Sequence, residues 1–212
     1  GLHGRIGGVE ERAGLCAEFG DMGCLGGLVH FQGGNVLGTG IVNAFIVGAG
    51  QESTGLTISF ANAAAGLGAD AVLVRPPSYF KSRMTREALK RHYLAVADAA
   101  RLPVIVYNIP QNTGIVLDAS LVVELAGHSN IVGLKESGGN LPMIAEVLPK
   151  AKPDFSYLLG SGSVFLPALA LGASGAILAV ANAAPGLCAE AYTLFLEKKL
   201  EQAFEIQKAL IP

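Results

Sequence analysis

Lys135 closes an apolar, strand-forming run and is the side chain best suited to covalent chemistry in this sequence. The run reads Asn-Ile-Val-Gly-Leu-Lys-Glu-Ser over residues 130–137. Burying an ammonium without a partner is costly, so a lysine at this place needs a reason. Desolvation lowers the pKa of an amine until the amine can attack a carbonyl carbon. We interpret Lys135 as a candidate Schiff-base nucleophile; the alternative is a lysine that reaches solvent from a strand end.

Tyr107 ends the preceding apolar run and supplies a second candidate group. Neighbouring strands of a sheet lie about 5 Å apart, so two side chains at the ends of consecutive parallel strands can share one pocket. An amine that forms an imine needs a proton shuttle, and a phenol can serve. Tyr107 alone would be interpreted as a packing residue, whereas its pairing with Lys135 favours a catalytic role.

The elements that must position these two residues alternate regularly along the chain. The predicted strands span residues 41–47, 71–74, 104–107, 131–134, 157–159 and 176–180. The predicted helices span residues 53–67, 85–100, 119–126, 142–148, 164–171, 185–197 and 200–210. The strands are uniformly apolar, which is typical of parallel strands covered on both faces. Six strand–helix units in strict alternation indicate an α/β protein.

A (β/α)₈ TIM barrel is the predicted architecture, and the chain is short for it. Such barrels take about 250 residues, whereas this chain has 212. Six strand–helix units in 212 residues therefore suggest a barrel that lacks pieces. The competing architecture, an open doubly wound sheet, normally carries a glycine-rich phosphate turn after an early strand, and no convincing turn of this kind is present.

Residues 1–40 differ in character from residues 41–212, which form the predicted barrel domain. The chain has 28 glycines, and 15 of them lie in the first 50 residues. Glycine in such numbers destabilises helices and strands alike. Two interpretations of this atypical segment stay open, namely a disordered segment and an aberrant one.

Composition argues against several classes of partner. The net charge is −2 and there is no basic run, so we expect neither nucleic-acid binding nor membrane association. Cys16, Cys24 and Cys188 are odd in number and lack metal-ligand spacing, so neither a disulfide framework nor a metal site is predicted. These features fit a reducing compartment. We expect an intracellular protein, with the cytoplasm favoured over the mitochondrial matrix.

Four segments carry a resemblance to a known family. They are Gly-Ala-Gly at 48–50, Tyr-Asn-Ile-Pro-Gln-Asn-Thr-Gly at 107–114, Gly-Leu-Lys-Glu-Ser at 133–137 and Gly-Ala-Ser-Gly-Ala-Ile at 172–177. In order and spacing, the chain from about residue 45 onward resembles the dihydrodipicolinate synthase/N-acetylneuraminate lyase family. The resemblance implies a (β/α)₈ barrel, class I aldolase chemistry on a small 2-oxo acid, no metal or organic cofactor, and a homotetramer.

The resemblance also implies roles for individual residues. Lys135 would form the Schiff base with pyruvate or another 2-oxo acid, and Tyr107 would transfer protons. Gly160 and Ile177 would line the substrate site through their backbones. Ser137 would lie beside the lysine, as in members that resemble 4-hydroxy-2-oxoglutarate aldolase.

Departures from the family pattern bear on the substrate and on assembly. Members that condense pyruvate with aspartate semialdehyde usually carry an arginine where this chain has Asn112, and an amide cannot supply that charge. The family carries two adjacent tyrosines, and the second of them completes the site of a neighbouring subunit. Phe80 occupies that second position here, so Tyr79 is the candidate for the role. The carboxylate-binding loop of the family corresponds to residues 20–24, which keep only the glycines. Comparison with the family also leads us to expect a barrel that is incomplete at the N-terminus, without its first strand, and that lacks C-terminal helices. Lys81 and Arg83 are basic residues available to a distal carboxylate.

The predicted function is a Schiff-base lyase that cleaves a 4-hydroxy-2-oxo acid, similar to 4-hydroxy-2-oxoglutarate, into pyruvate and an aldehyde. One alternative is dihydrodipicolinate synthase, which joins pyruvate to aspartate semialdehyde. A further alternative is a non-catalytic, truncated member of the family.

Overall fold

Parallel strands and helices alternate along most of the chain. The computed structural model describes residues 29–30 and 43–211. The strands are β1 (Val29–His30), β2 (Asn43–Ala44), β3 (Ile46–Gly48), β4 (Ala71–Val74), β5 (Val104–Asn108), β6 (Ile131–Glu136), β7 (Ser156–Leu159) and β8 (Gly175–Ala176). The helices are α1 (Thr54–Gly66), α2 (Arg86–Ala99), α3 (Pro110–Thr113), α4 (Ala119–Ala126), α5 (Pro142–Val147), α6 (Phe165–Ala170), α7 (Pro185–Leu196) and α8 (Leu200–Ala209).

Six of the strands form one parallel sheet whose spatial order is the order of the chain. The order is β3-β4-β5-β6-β7-β8, and every neighbouring pair is parallel. Strands β1 and β2 form a separate antiparallel pair. Because every neighbouring pair is parallel, the carboxyl ends of all six strands lie at the same edge of the sheet. That edge is where an α/β barrel places its chemistry.

The two faces of the sheet bury different sets of side chains. One apolar cluster lies between the sheet and its helices and includes Val72, Val106 and Tyr157. A second, smaller cluster lies on the concave side and includes Leu73, Ile105, Tyr107 and Leu158. Successive residues of a strand point to opposite faces, so the sheet supplies both a packed helical layer and an inner pocket.

Helix starts follow capping residues that are visible in the sequence. The side-chain oxygens of Ser53, Thr85 and Asp118 accept backbone N–H groups of the first turns of α1, α2 and α4. Each bond satisfies a donor that has no partner within the helix. The predicted starts of these three helices therefore lie within one residue of the observed ones.

The prediction of six parallel strands alternating with helices is confirmed, with three corrections. The strand predicted over residues 176–180 is wrong beyond its first residue, because β8 covers only Gly175–Ala176 and a 3₁₀ turn follows at Ala179–Asn182. The strand predicted over residues 41–47 is divided at Phe45, where β2 turns to pair with β1. Strand β6 extends to Glu136, so Lys135 lies inside it.

Other predictions concern parts of the chain that the structure does not describe. The proposed atypical segment 1–40 lies outside the described residues except for β1, and so does the loop at residues 20–24. The division into two regions stays a prediction. Within the described residues, no helix has the length and apolar character needed to cross a bilayer.

Candidate active site

Lys135 and Tyr107 are neighbours across the sheet. They are register partners on β6 and β5, and Lys135 Nζ lies 4.4 Å from the centroid of the Tyr107 ring. Lys135 is 5% exposed and Tyr107 is 8% exposed. Both side chains belong to the concave side of the sheet, where Tyr107 packs with Ile105 and Leu158. The amine therefore lies in an apolar pocket and contacts the face of a phenol.

Burial changes the acid–base behaviour of Lys135. Desolvation lowers the pKa of Lys135 from 10.5 to about 8, because the charged form loses its hydration. At pH 7.5, a pKa of about 8 leaves roughly a quarter of the amines uncharged, against about one in a thousand for an ordinary lysine. The pocket thus maintains a substantial fraction of nucleophilic amine near neutral pH.

Ser137 lies against Gly160 and influences the phenol of Tyr107. Burial raises the pKa of Tyr107, and a hydrogen bond with the Ser137 side chain opposes that rise. Gly160 approaches Ser137 so closely that a Cβ added at Gly160 would collide with the Ser137 hydroxyl. A glycine at position 160 is therefore required for this placement of Ser137. Tyr107 stays protonated at neutral pH and can first act as a proton donor.

The loops beyond the strands continue the hydrogen-bond pattern of the sheet. The Gly160 N–H donates to the Glu136 carbonyl at 2.7 Å, and the Ile177 N–H donates to the Leu159 carbonyl at 2.7 Å. Ile177 also packs against the concave cluster that contains Tyr107. Both predicted lining residues are therefore held next to the pocket by main-chain contacts, although their roles stay predictions.

Asn112 lies just beyond the carboxyl end of β5, the strand that carries Tyr107. It belongs to the short helix α3, which the sequence did not predict, and it is exposed. The side chain of Gln111 ties this helix to the Ser137 carbonyl at 3.0 Å. Gly114 follows the helix with a φ of 65°, and Lys81 packs on it so closely that an added Cβ would lie 2.7 Å from Nζ. A cationic group therefore stands two residues from Asn112.

Tyr79 lies in the loop after β4 and is 78% exposed. Its ring and that of Phe80 are 4.9 Å apart, edge to face. The Glu52 carboxylate holds this loop, because it accepts the N–H groups of Ser78 and Tyr79 at 2.8 Å each and pairs with Arg75 at 2.9 Å. Within this chain, Tyr79 makes no contact with Lys135 that would bring it into the pocket, so its predicted role requires a neighbouring subunit.

Two structural contributors to the site were missed by sequence reasoning. The first is the buried pair Asn108 and Glu136, which follows Tyr107 and Lys135 by one residue on the same strands. Gln207 on α8 accepts the Leu166 N–H and donates to the Gly162 carbonyl, which ties the loop after Gly160 to the last helix. A charged residue inside an apolar strand was a usable signal for Glu136. Gln207 gave no signal, because its contacts lie more than 40 residues away in the sequence.

No metal site is apparent in the described part of the chain, where no three His, Cys, Asp or Glu side chains are grouped suitably. The site therefore consists of an amine with a lowered pKa, a phenol, a hydroxyl and main-chain groups. An amine of this kind can form an imine with a carbonyl compound, and the phenol can move protons beside it.

Known proteins resemble this chain in sequence. A sequence profile of the "Dihydrodipicolinate synthetase family" matches residues 39–212. A 4-hydroxy-tetrahydrodipicolinate synthase from Archaeoglobus fulgidus is 41% identical over 167 residues, which are 79% of this chain and 57% of that protein. A protein from Emericella nidulans named "Probable 4-hydroxy-2-oxoglutarate aldolase, mitochondrial" is 38% identical over 163 residues, which are 76% of this chain and 53% of that protein.

Solved structures show the same fold. The dihydrodipicolinate synthase of Thermotoga maritima matches with a TM-score of 0.75 at 31% identity, covering 79% of this chain and 58% of that one. The enzyme of Acinetobacter baumannii, solved in complex with pyruvate, matches with a TM-score of 0.72 at 35% identity, covering 77% and 55%. The chain spans little more than half the length of these relatives. Profile, sequence and fold agree, and the chain belongs to the dihydrodipicolinate synthetase family.

Proposed function

We propose that the protein is a Schiff-base lyase that cleaves a 4-hydroxy-2-oxo acid, similar to 4-hydroxy-2-oxoglutarate, into pyruvate and an aldehyde. The observation that carries the proposal is the buried Lys135 amine, with its lowered pKa, in contact with Tyr107. Ser137 and Asn112 favour this substrate class over others in the family. The relative from Emericella nidulans, whose name gives this activity, supports the choice.

The reaction assigns one step to each group. The uncharged Nζ of Lys135 attacks C2 of the substrate, and Tyr107 gives its proton to the departing water, which leaves a protonated imine and a phenolate. The phenolate accepts the proton of the 4-hydroxyl as the C3–C4 bond breaks and the electron pair moves into the imine, which gives an enamine and releases the aldehyde. Tyr107 then protonates C3 and regenerates the imine, and water, which returns a proton to the phenolate, releases pyruvate and the free lysine. Ser137 orients the phenol throughout.

Borohydride reduction tests the covalent step directly. In the presence of pyruvate, reduction of the imine should add a lactyl-sized mass to the peptide that contains Lys135, as read by mass spectrometry. The same reduction without pyruvate is the control. Intact, folded protein that gains no adduct on Lys135 would defeat the proposal for this chain.

The pH dependence of trapping gives a sharper version of the test. Desolvation places the pKa of Lys135 at about 8, and only the uncharged amine attacks the carbonyl. We expect the initial rate of adduct formation to rise through a midpoint near pH 8 and to level off above it. A rate that keeps rising towards pH 10.5, the ordinary lysine value, would show that the amine is not desolvated.

Lys81 lies against Gly114, two residues from Asn112, and is the cation that we propose to meet a distal carboxylate of the substrate. We expect Lys81→Met to raise the KM for a dicarboxylic 4-hydroxy-2-oxo acid about three- to fivefold, the range of a partly exposed charge pair. The same variant should leave hydrogen exchange at C3 of pyruvate unchanged, because pyruvate has no distal carboxylate. Lys150→Met removes an equal charge from an exposed site and is the matched control. Equal KM values for Lys81→Met and the unaltered chain would remove Lys81 from substrate selection.

A second candidate function is the condensation of pyruvate with aspartate semialdehyde. The 41% identity with the synthase of Archaeoglobus fulgidus favours it, whereas the uncharged Asn112 does not. Incubation of the chain with both substrates distinguishes the two activities, since only a synthase yields the cyclic product. A non-catalytic family member would show neither product, and the absence of a pyruvate-induced rise in Tm would support that alternative.

Assembly and location complete the proposal. The exposed Tyr79 and Phe80 would be covered in a homotetramer, where Tyr79 reaches the site of a neighbouring subunit. We also propose an intracellular location, with the cytoplasm favoured over the mitochondrial matrix. Size-exclusion chromatography with light scattering tests the subunit count.

A further inference from the structure

A second pair of polar side chains follows Lys135 and Tyr107 by one residue along the same two strands. Asn108 and Glu136 are the next residues of β5 and β6 and are register partners themselves. Side chains alternate along a strand, so this pair points to the opposite face of the sheet. Glu136 is 0% exposed and Asn108 is 2% exposed. The proposed reaction gives neither residue a chemical step.

The Glu136 carboxylate accepts hydrogen bonds from three backbone N–H groups of the turn that follows it. Its Oε1 accepts the Gly138 N–H at 2.6 Å. Its Oε2 accepts the Gly139 N–H at 2.9 Å and the Asn140 N–H at 3.1 Å. Hydrogen bonds to an ionised acceptor are stronger than those between neutral groups. The buried carboxylate therefore fixes the turn, in which Gly139 adopts a positive φ of 76°.

Asn108 connects this arrangement to strand β5. Its Nδ2 lies 3.5 Å from Glu136 Oε1, and its Oδ1 accepts the Leu117 N–H at 3.1 Å. The Asn108 backbone carbonyl accepts the Ser137 N–H at 2.9 Å. Ser137 is thus held by β5 on one side and by the turn of Glu136 on the other.

The charge of Glu136 acts on the outer face of the sheet. Burial raises the pKa of Tyr157, and the negative charge of Glu136 raises it further. Desolvation alone lowers the pKa of Lys135. Glu136 is therefore not a counter-ion that would keep Lys135 charged, and its contribution to the site is geometric.

This geometry places Ser137. The Ser137 carbonyl accepts the Gln111 side chain at 3.0 Å, and Gly160 packs against its hydroxyl. A side-chain interaction with Ser137 lowers the pKa of the Tyr107 phenol. A change in the backbone between Glu136 and Gly138 would turn the hydroxyl away from the phenol.

We propose that Glu136, tied to Asn108, is a positioning residue that keeps the Ser137 hydroxyl on the Tyr107 phenol and thereby governs proton transfer at C3 and at the 4-hydroxyl. The inference rests on the proposed function, because it assigns these proton transfers to Tyr107. Glu136 does not touch the substrate and leaves the nucleophilicity of Lys135 unchanged.

The variant Glu136→Gln tests the proposal with the full chain. It keeps the side-chain shape but turns one acceptor into an N–H donor that faces the N–H groups of the turn. We expect the exchange of pyruvate C3 hydrogens in deuterium oxide to slow about tenfold, while the yield of Lys135 adduct trapped at equilibrium stays within about twofold of the unaltered chain. Ser137→Ala should slow exchange equally, and the double variant should be no slower than either single variant.

Glu124→Gln is the matched control, because Glu124 is an exposed acid paired with Arg86 and Lys90 on the outer helices. It should change neither exchange nor adduct yield. Exchange at the unaltered rate in Glu136→Gln would overturn the proposal. Exchange and adduct yield that fall by one common factor would also overturn it, since loss of folded protein gives that result.

A readout independent of catalysis separates this proposal from the proposed function. The ¹³Cζ signal of Tyr107, assigned by its loss in Tyr107→Phe, reports the pKa of the phenol. Glu136→Gln and Ser137→Ala should both raise this pKa, because each removes the hydrogen bond that opposes the effect of burial. If the unaltered chain forms no Lys135 adduct, the proposed function fails, whereas an unchanged Tyr107 titration in Glu136→Gln refutes the positioning role.

Discussion

Lys135→Met should abolish the borohydride-trapped pyruvate adduct and slow aldol cleavage at least about a thousandfold, because the substitution removes the amine that forms the imine. Methionine has a similar length and fills the same apolar pocket. The fold should therefore persist, and the defect should reside in the chemistry. Mass spectrometry of the trapped protein and a coupled assay for released pyruvate measure the two effects.

The same substitution should stabilise the protein. Methionine removes an amine that loses its hydration on folding, so we expect Tm to rise by roughly 2–4 °C, the shift that about 1 kcal/mol gives in a chain of this size. The gain depends on pH. Between pH 8 and 10.5 the unfolded chain binds a proton at Lys135 that the folded chain does not, so the stability of the unaltered protein rises with pH there. The advantage of Lys135→Met should be largest below pH 8 and should disappear above pH 10.5.

Lys150→Met is the control for these measurements, because Lys150 is an exposed lysine. It should retain the adduct and leave Tm within about a degree of the unaltered chain. Persistence of the adduct in Lys135→Met would assign the nucleophile to another lysine. Peptide mapping would then identify that lysine directly.

Tyr107→Phe should slow the exchange of pyruvate C3 hydrogens and aldol cleavage by about 10²- to 10³-fold, the usual contribution of a positioned acid–base group. The phenylalanine ring preserves the aromatic face whose centroid lies 4.4 Å from Lys135 Nζ in the unaltered chain. The adduct should therefore still accumulate at equilibrium, although more slowly. Proton exchange followed by NMR, together with trapping at long incubation times, separates the two effects.

Tyr192→Phe provides the comparison for Tyr107→Phe. Tyr192 lies on α7, stacks on Phe165 and bonds only weakly to the Ser174 carbonyl at 3.5 Å. Loss of the Tyr192 hydroxyl should leave the rate of hydrogen exchange at C3 of pyruvate unchanged. If Tyr107→Phe exchanges hydrogens as fast as the unaltered chain, another group carries the proton, and the predicted role of Tyr107 is wrong.

The order of the elements could be predicted because the local signals were strong. The uniformly apolar strands indicated a parallel sheet, and residues such as Thr85 marked helix starts. The end of the sheet was harder to predict. Residues 176–180 are all small or apolar, and such a run carries no periodicity that distinguishes a strand from a 3₁₀ turn. The division of the strand at Phe45 depends on pairing with β1, which no local pattern reveals.

The juxtaposition of Lys135 and Tyr107 could be predicted for a topological reason. Consecutive strands of an α/β barrel are neighbours, and their ends meet at one edge. The roles of Glu136 and Asn108 could not be predicted in this way. Their partners are mainly backbone N–H and carbonyl groups, which nearly every residue possesses. The sequence therefore contains no pattern of residue types that marks these partners.

Strand β6 carries an amine and an acid on opposite faces, one residue apart. A one-residue insertion or deletion upstream within β6 would exchange them, because a slip of one position reverses every side chain of a strand. The carboxylate of Glu136 would then enter the pocket and repel an anionic 2-oxo acid, and the ammonium of Lys135 would be driven among the apolar helices. The length of this strand should accordingly be as restricted as the identities of Lys135 and Glu136.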